Sequence, residues 1–412
     1  MCVRRAKLWL AASLAIACGS ASGATAGPAG TPPHPIRHVF LIVLENEGFS
    51  QTFGPGSAAP YLARALTRQG VLLSHYYATG HESLDNYVAM ISGQAATPET
   101  RDDCAVFADF AQSGVTADGQ AIGRGCVYPK SVKTLPDQLT ADGQTWRAYL
   151  EDMGNDPARE AQTCAHPTLN AKDPTGEAEA PSTRVPLGDQ FALRHNPFAY
   201  FHSIIDSPSC ATAVVNLRQL AADLASEKST PNFVFIAPNL CNDGHDEPCV
   251  DGQPGGLVSA DRFLQQWVPA ILASPAYQHG GLLVITFDEG EVKVGKDANG
   301  VREYTYAGQY CCGQQPGPNL AAFPQSAAGD GVRVTYQDFG GERVGAVLLS
   351  PFLTPGTESA TPFNHYSLLR TLEDIFGTGA YLGYAGQPGQ FGFFGCTNCD
   401  ISAGIRLGRS PP

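Results

Sequence analysis

Basic residues are scarce in this chain. Its 412 residues include 26 Lys and Arg against 39 Asp and Glu, which gives a net charge of −13. Proteins that hold nucleic acid through its phosphates need clustered Lys and Arg, so we expect no nucleic-acid partner. Some of the surplus carboxylates are instead available to bind metal.

Beyond its first residues, the chain also lacks a long apolar run of the kind that crosses a membrane. Residues 1–26 combine a basic start, the apolar run 8–17 and small residues ending at Ala26, the three-part pattern of a secretory signal. We therefore predict a secreted or periplasmic protein with no stable membrane span after signal removal. Lipid attachment through Cys18 is the minority alternative.

Repeats, coiled-coil heptads and low-complexity runs are missing too, so nothing marks a second domain. Residues 27–35, rich in Gly and Pro, predict a flexible leader. Residues 36–412 predict one catalytic domain with disulfide-braced loop insertions, chiefly at 95–133, 153–200 and 290–342. The oligomeric state is left open.

Ten of the twelve cysteines follow the signal, and an even number in an exported chain favours disulfides. Local pairing of Cys104 with Cys126, Cys164 with Cys210 and Cys241 with Cys249 is plausible, although sequence does not fix connectivity. The pairs Cys311-Cys312 and Cys396-x-x-Cys399 leave zinc binding open as the weaker alternative.

Apolar strand-like runs alternate with helix-like segments along the chain. This alternation predicts an α/β fold, a three-layer α/β/α sandwich with a mostly parallel central sheet. The strand-like runs are 39–44, 71–77, 145–150, 232–237, 282–287 and 344–350, and the helix-like segments are 61–69, 135–141, 210–228, 257–274 and 367–376.

Polar clusters follow several of these strands. They are Glu45-Asn46, the segment 239–246 with Asp243 and His245, Asp288-Glu289, and Asn364-His365. Each alone is typical of loops and helix caps. The carboxyl ends of parallel strands share one edge of a sheet, so together the clusters predict a single site. So much negative charge in one place requires a neutralising cation.

Ser83 lies between a strand and a helix-like segment, in Gly80-His81-Glu82-Ser83-Leu84-Asp85-Asn86-Tyr87. Taken alone, this serine is more typical of a helix cap. Beside the acidic clusters, its hydroxyl is instead a candidate nucleophile for phosphoryl transfer, because a helix N-terminus favours anions.

With these motifs in this order, the chain resembles the phosphoesterase family of secreted acid phosphatases and phosphatidylcholine-type phospholipases C, within the alkaline phosphatase superfamily. The resemblance rests on Val43-Leu44-Glu45-Asn46, Ser83-Leu84-Asp85-Asn86-Tyr87, Asp243-Gly244-His245-Asp246, Asp288-Glu289-Gly290 and His365-Tyr366-Ser367, and it spans about residues 37–380. It implies an alkaline phosphatase-like fold and a hydrolase acting on phosphoric esters.

Residue by residue, the resemblance implies one divalent metal ion held by Glu45, Asn46, Asp288, Glu289 and the nucleophile Ser83. Asn86 would contact a phosphate oxygen. Asp243, His245 and His365 would hold a second ion or assist the phosphate and leaving group, with His245 or His365 as the acid. Mixed ligands suit zinc, iron or manganese, and an all-oxygen set suits calcium or magnesium.

Two residues depart from the family pattern. Asp85 stands where relatives often have Pro and adds charge beside the nucleophile, which puts the usual phosphate affinity in doubt. Glu289 replaces the His of many superfamily members, which disfavours a two-zinc site.

The resemblance is much less specific for substrate, a small phosphate ester or a phospholipid. The chain is shorter than the family's phospholipases C, which favours an acid phosphatase-like phosphomonoesterase acting through a phosphoserine. A phospholipase C-type phosphodiesterase is the alternative. A non-catalytic exported metal-binding or adhesive protein is a remote third possibility.

Overall fold

The computed structural model describes residues 35–296, 300–329 and 331–395. The proposed signal, Cys18, nearly all of the leader, and the Cys396 and Cys399 pair lie outside these residues. Within them, no helix is both long enough and apolar enough to span a bilayer.

The strands fall into a large central sheet, a second sheet of four strands, and two small pairs. In chain order they are β1 (His38–Leu44), β2 (Val71–Leu73), β3 (Tyr76–Tyr77), β4 (Ala111–Val115), β5 (Ala121–Arg124), β6 (Trp146–Leu150), β7 (Val214–Asn216), β8 (Phe233–Ala237), β9 (Gly281–Phe287), β10 (Lys293–Lys296), β11 (Arg302–Tyr306), β12 (Gln325–Gly329), β13 (Val332–Tyr336), β14 (Ala346–Leu349), β15 (Thr357–Ser359) and β16 (Phe363–Asn364).

The helices vary from single turns to eighteen residues. The α-helices are α1 (Phe49–Phe53), α2 (Thr67–Gln69), α3 (Ser83–Ser92), α4 (Leu135–Ala141), α5 (His202–Ile205), α6 (Cys210–Ala213), α7 (Leu220–Asp223), α8 (Gly256–Ala273), α9 (Pro275–Gly280) and α10 (His365–Phe376). A π-helix covers Tyr61–Leu66, and short 3-10 helices cover Thr100–Asp102, Leu193–His195, Pro197–Tyr200, Leu217–Gln219 and Gly383–Gly386.

The central sheet has the strand order β15-β2-β14-β9-β1-β8-β6-β7. Its pairings are parallel except for those of β14, which runs antiparallel to both β2 and β9. Strands β1, β8 and β9 are buried along their whole length. Continuous apolar runs of this kind form strands covered on both faces, so the mostly parallel sheet is confirmed.

Helices cover both faces of this sheet. Leu41 of β1 pairs with Phe235 of β8, so Phe235 and the neighbouring Phe40 point to opposite faces. Phe235 packs against Tyr87 of α3, and Phe40 packs against Tyr277 of α9. This arrangement confirms the three-layer α/β/α architecture.

Two sequence expectations about elements are wrong. The helix expected over 210–228 is interrupted, because residues 214–216 form β7 and pair with β6 at the sheet edge. The Val-Val pair there is β-branched and gains more from that pairing than from a helix. The expected loop 290–342 contains the four-stranded sheet, in the order β10-β11-β13-β12, which we call the accessory sheet.

The described cysteines pair as disulfides. Cys104–Cys126, Cys164–Cys210 and Cys241–Cys249 match the local pairs expected from the sequence. Cys311 and Cys312 bond to each other. The zinc alternative for that last pair is therefore wrong.

Candidate active site

Ser83 is the first residue of α3, and only 3% of its surface is exposed. Its hydroxyl donates a short hydrogen bond to the Glu45 carboxylate, which follows β1. A helix N-terminus concentrates unpaired N–H groups and the positive end of the helix dipole. The Ser83 hydroxyl therefore lies where an anionic group is stabilised, next to a carboxylate that accepts its hydrogen.

Asn86 holds the loop that leads to Ser83. Its side-chain oxygen accepts from the N–H groups of Thr79 and Gly80, both at 2.9 Å. Its side-chain nitrogen donates to the carbonyls of Gly80 and Glu82, both at 3.0 Å. The oxygen and the nitrogen of the Asn86 amide are thus both hydrogen-bonded to the loop. The contact of Asn86 with phosphate stays a prediction.

The parallel pairing of β1 with β9 brings two acidic clusters together. Asp288 N–H donates to the Leu44 carbonyl at 2.9 Å, and Asn46 N–H donates to Asp288 Oδ1 at 3.3 Å. Glu45 and Asp288 are both fully buried. Burial and the Glu45 charge raise the pKa of Asp288 well above its usual range. The two carboxylates therefore disfavour each other's ionised form.

Glu289 is the second carboxylate of its cluster and is also buried. Its Oε2 accepts the backbone N–H of Glu82 at 3.1 Å and lies 3.6 Å from the His81 ring. The side chain thus ties the end of β9 to the residue preceding Ser83. Burial, followed by the charge of Glu82, raises the pKa of Glu289 well above its usual range.

His195 was missed by the sequence reasoning, although it occupies the centre of the site. Its Nε2 lies 2.8 Å from Glu45 Oε1, and its Nδ1 lies 3.2 Å from Asp243 Oδ2. Burial lowers its pKa, but the Glu45 charge and hydrogen bonds to both carboxylates outweigh burial and raise the pKa to about 10. A protonated imidazole, which donates from both nitrogens, suits this position.

Arg194, also missed, brings a second cation. Its guanidinium lies 3.9 Å from Glu45 and 3.6 Å from Asp103. Burial by itself raises the pKa of Glu45, but the charges of His195, His245 and Arg194 hold it well below its usual range. Both basic residues lie in the predicted loop 153–200, and the adjacent Arg-His pair was the one available signal.

His245, in the 239–246 cluster, is more accessible than His81 and His195. The His245 side chain is 35% exposed, with Nδ1 2.8 Å from Asp246 and Nε2 3.4 Å from Arg194. Burial lowers its pKa, but the Glu45 charge and the Asp246 contact raise it to about 9. His245 is therefore cationic near neutral pH.

His365 is buried, and both of its ring nitrogens already have partners. Nδ1 lies 2.9 Å from the Tyr76 hydroxyl, and Nε2 lies 2.6 Å from the Asp288 carbonyl. Burial lowers its pKa to about 4, so it is neutral. The ring supports the backbone of Asp288. The predicted roles of His365 as metal ligand or acid stay predictions, and these contacts do not favour them.

The residues at this edge fit a cation. Glu45 Oε2 and Asp288 Oδ2 are buried without a hydrogen-bond partner, a costly arrangement for carboxylate oxygens. Glu45, His195 and Asp243 also each present a ligand atom within 4.8 Å of the others, although His195 would bind an ion only after losing a proton. Asp243, His245 and His365 do not form such a group. Among the described residues, the other group contains the bonded Cys241 and Cys249.

Comparisons with known proteins identify the family. Residues 55–379 match the model of the Phosphoesterase family. The chain is 25% identical to a phosphate-repressible acid phosphatase of Penicillium chrysogenum, over 61% of this chain and 47% of the relative. It is 22% identical to a phosphatidylinositol-3-phosphatase of Mycobacterium tuberculosis, over 83% of this chain and 77% of the relative.

A solved structure of a protein in the alkaline phosphatase superfamily from Vibrio parahaemolyticus superposes with a TM-score of 0.47 and 11% identity, covering 86% of this chain and 70% of that one. The chain spans about half the length of the fungal acid phosphatases that it matches.

Proposed function

Because the chain belongs to the phosphoesterase family, we propose that it is an exported, metal-dependent phosphomonoesterase that acts through a phosphoserine at Ser83. One observation carries the proposal. Ser83 is the buried first residue of α3, and its hydroxyl donates a hydrogen bond to Glu45. A nucleophile and its acceptor in such contact are a recognised arrangement for covalent catalysis. The helix N-terminus favours the anionic phosphoryl group.

In this proposal, Ser83 attacks phosphorus and the substrate alcohol departs. Glu45 orients the hydroxyl, and Arg194 and His195 offset negative charge on the phosphoryl oxygens. Such electrostatic stabilisation is commonly the largest contribution to phosphoryl transfer. Water then hydrolyses the phosphoserine and restores the Ser83 hydroxyl.

His245 is the favoured proton donor to the leaving group. It is cationic and partly exposed, and its Nε2 lies 3.4 Å from Arg194, whose guanidinium lies 3.9 Å from the Glu45 carboxylate that accepts the Ser83 hydrogen. His365 is less suited, because its ring is neutral and both nitrogens are bound within the protein. We therefore assign His245 to the acid role and His365 to the support of Asp288.

The unpartnered oxygens of Glu45 and Asp288 support a bound divalent ion, with Asn46, Glu289 and Ser83 as the further ligands that family resemblance implies. Such an ion, when bound, lowers the pKa of a coordinated hydroxyl and polarises the phosphoryl group. An oxygen-rich ligand set favours magnesium, calcium or manganese over zinc or iron.

A phosphomonoester is the favoured substrate because the relatives named above are an acid phosphatase and a phosphatidylinositol phosphatase. Export is supported by the disulfides, which form and persist in oxidising compartments. The phospholipase C-type and non-catalytic alternatives are retained as outcomes of the test.

The test compares hydrolysis of p-nitrophenyl phosphate and p-nitrophenylphosphorylcholine by metal-loaded and chelated protein. We expect metal-dependent turnover of the monoester, and a phosphopeptide containing Ser83 after acid quenching. Ser83→Ala should abolish both and keep the wild-type melting temperature. Preference for the choline diester would establish the phospholipase alternative. Hydrolysis of neither substrate would overturn the proposal.

A further inference from the structure

Glu82, the residue before Ser83, has a backbone conformation that only glycine normally adopts. Its φ is 76° and its ψ is 152°. For a residue with a side chain this conformation is strained and persists only when its surroundings enforce it. The strained peptide leads directly into the first turn of α3, so it sets the direction from which Ser83 enters the site.

Every polar group of Glu82 has a partner that helps to enforce this conformation. Its N–H donates to Glu289 at 3.1 Å, and its carbonyl accepts from Asn86 at 3.0 Å. Its carboxylate accepts from the Tyr306 hydroxyl at 2.6 Å and the Tyr336 hydroxyl at 3.1 Å. The first two contacts come from the central site, whereas the tyrosines end β11 and β13 of the accessory sheet.

The two tyrosines are held side by side, so that both hydroxyls can donate to this carboxylate. Their strands are adjacent and parallel, with Tyr306 opposite Tyr336, and the rings stack at a centroid distance of 4.8 Å. Arg101 packs on the outer ring, 4.4 Å from the Tyr336 centroid. Gln314, which precedes β12, also donates to the Thr79 carbonyl at 2.6 Å. The segment that joins β11 to β12 thus provides a second contact with the same loop.

We propose that Glu82 is a positioning residue and that Tyr306 and Tyr336 hold its carboxylate to maintain the strained backbone that aims the Ser83 hydroxyl at the phosphoryl group. The accessory sheet therefore acts on catalysis through Glu82 without contacting the substrate. This inference rests on the proposed function of Ser83. It assigns no proton transfer to Glu82.

The experiment compares three substitutions at one position, because glycine adopts the strained conformation without cost whereas alanine does not. Glu82→Ala should lower kcat for p-nitrophenyl phosphate about 10²-fold at nearly constant KM, the scale of a misplaced catalytic group. Glu82→Gly should recover kcat to within about fivefold of wild type, since the backbone keeps its path. Glu82→Gln, which still accepts hydrogen bonds, should stay within about threefold.

A double-mutant cycle tests the role of the tyrosines. Tyr306→Phe with Tyr336→Phe should lower kcat about tenfold in the wild-type background and less than twofold in the Glu82→Gly background. Tyr304→Phe is the matched control, because Tyr304 lies on the same strand but packs against Arg302. That control should remain within twofold of wild type.

Equal loss of kcat in Glu82→Ala and Glu82→Gly would overturn the inference, because the side chain itself would then be needed. Wild-type kcat in Glu82→Ala would also overturn it. Turnover by Ser83→Ala, or an inactive wild-type enzyme, would instead overturn the proposed function and the inference with it. Melting temperatures identify unfolded variants, and Glu82→Gln keeps the test decisive if the double tyrosine variant does not fold.

Discussion

The central sheet and the accessory sheet differ in how they are built and in how they contribute to the site. Strands β1, β8 and β9 are wholly buried, whereas β10 is exposed along its length and β12 nearly so. The central sheet supplies Glu45 and Asp288 beside Ser83. The accessory sheet contacts the loop before Ser83, where the hydroxyls of Tyr306 and Tyr336 donate to Glu82 and the Tyr306 ring packs on His81 at a centroid distance of 4.7 Å.

This difference shows which part of the site requires a rigid base. Preorganised charged groups need an environment that does not relax, and fully buried parallel strands provide it. A contact that only maintains a backbone conformation is less demanding, and an exposed sheet is sufficient. We therefore expect substitutions in the central sheet to have the larger effects, whether activity or stability is measured.

The largest expected effect concerns the carboxylates. Glu45→Gln removes the charge beside Ser83 and should lower kcat about 10³-fold, the upper range for loss of one preorganised electrostatic group. Glu303→Gln, the same change on β11, removes a carboxylate that contacts Thr335. That control should stay within about twofold, because surface changes are usually small. Steady-state kinetics on p-nitrophenyl phosphate measure both variants, and similar losses of kcat would contradict the expected difference between the two sheets.

The second effect concerns stability. Phe235→Ala in β8 removes a fully buried ring that packs at 5.1 Å from Phe198, and it should cost about 3–5 kcal/mol of unfolding free energy. Val294→Ala in β10 changes a residue that is 52% exposed and should cost less than about 0.5 kcal/mol. Urea unfolding measures both. A cost below 1 kcal/mol for Phe235→Ala would contradict the expectation.

Metal removal should produce the third effect. An ion that binds only the folded state stabilises it by about 2.7 kcal/mol at a hundredfold excess over Kd, so a chelator should lower the melting temperature. Asp288→Asn should abolish most of that shift, because it removes the repulsion that the ion neutralises. In the presence of chelator, the melting temperature of Asp288→Asn should be higher than that of the wild type.

Glu303→Gln serves again as the accessory-sheet control and should retain the full chelator shift. A wild-type melting temperature unaffected by chelation would argue against a buried metal site at Glu45 and Asp288. Thermal melts are independent of turnover, so they test the metal site even if the substrate choice is wrong.

The same contrast explains how much was predictable from the sequence. Strands such as β1 and β9 are continuous apolar runs with acidic residues directly after them, so both the fold and the convergence of Glu45 with Asp288 followed from local pattern. The accessory sheet lacks that pattern, because its exposed strands with Lys, Gly and Ala resemble loops. Its tyrosines become informative only when tertiary pairing places them together.

Within the site, sequence indicated residues that follow strands and missed those that do not. His195 and Arg194 lie in a short 3-10 helix inside a long irregular segment, and no periodicity marks them. Sequence also could not show which polar groups already had partners. Asn86 and His365 lie beside the site, yet their hydrogen bonds are directed into the protein.

The smallest expected effect is a pH dependence on the central-sheet side. Glu373 of α10 is 2% exposed, accepts the Leu382 N–H at 2.8 Å, and leaves Oε2 without a partner. Burial raises its pKa from 4.5 to about 8. The folded state therefore binds the proton more tightly than the unfolded state, and stability falls as pH rises from about 4.5 to 8.

Glu373→Gln cannot ionise and should remove this contribution. Relative to wild type, its melting temperature should rise between pH 5 and pH 8, because only the wild type loses stability to the ionisation of Glu373 over that interval. Thermal melts at both pH values measure the difference, and the general pH slope of the protein cancels in the comparison. The same difference in melting temperature at both pH values would show that folding does not raise the pKa of Glu373.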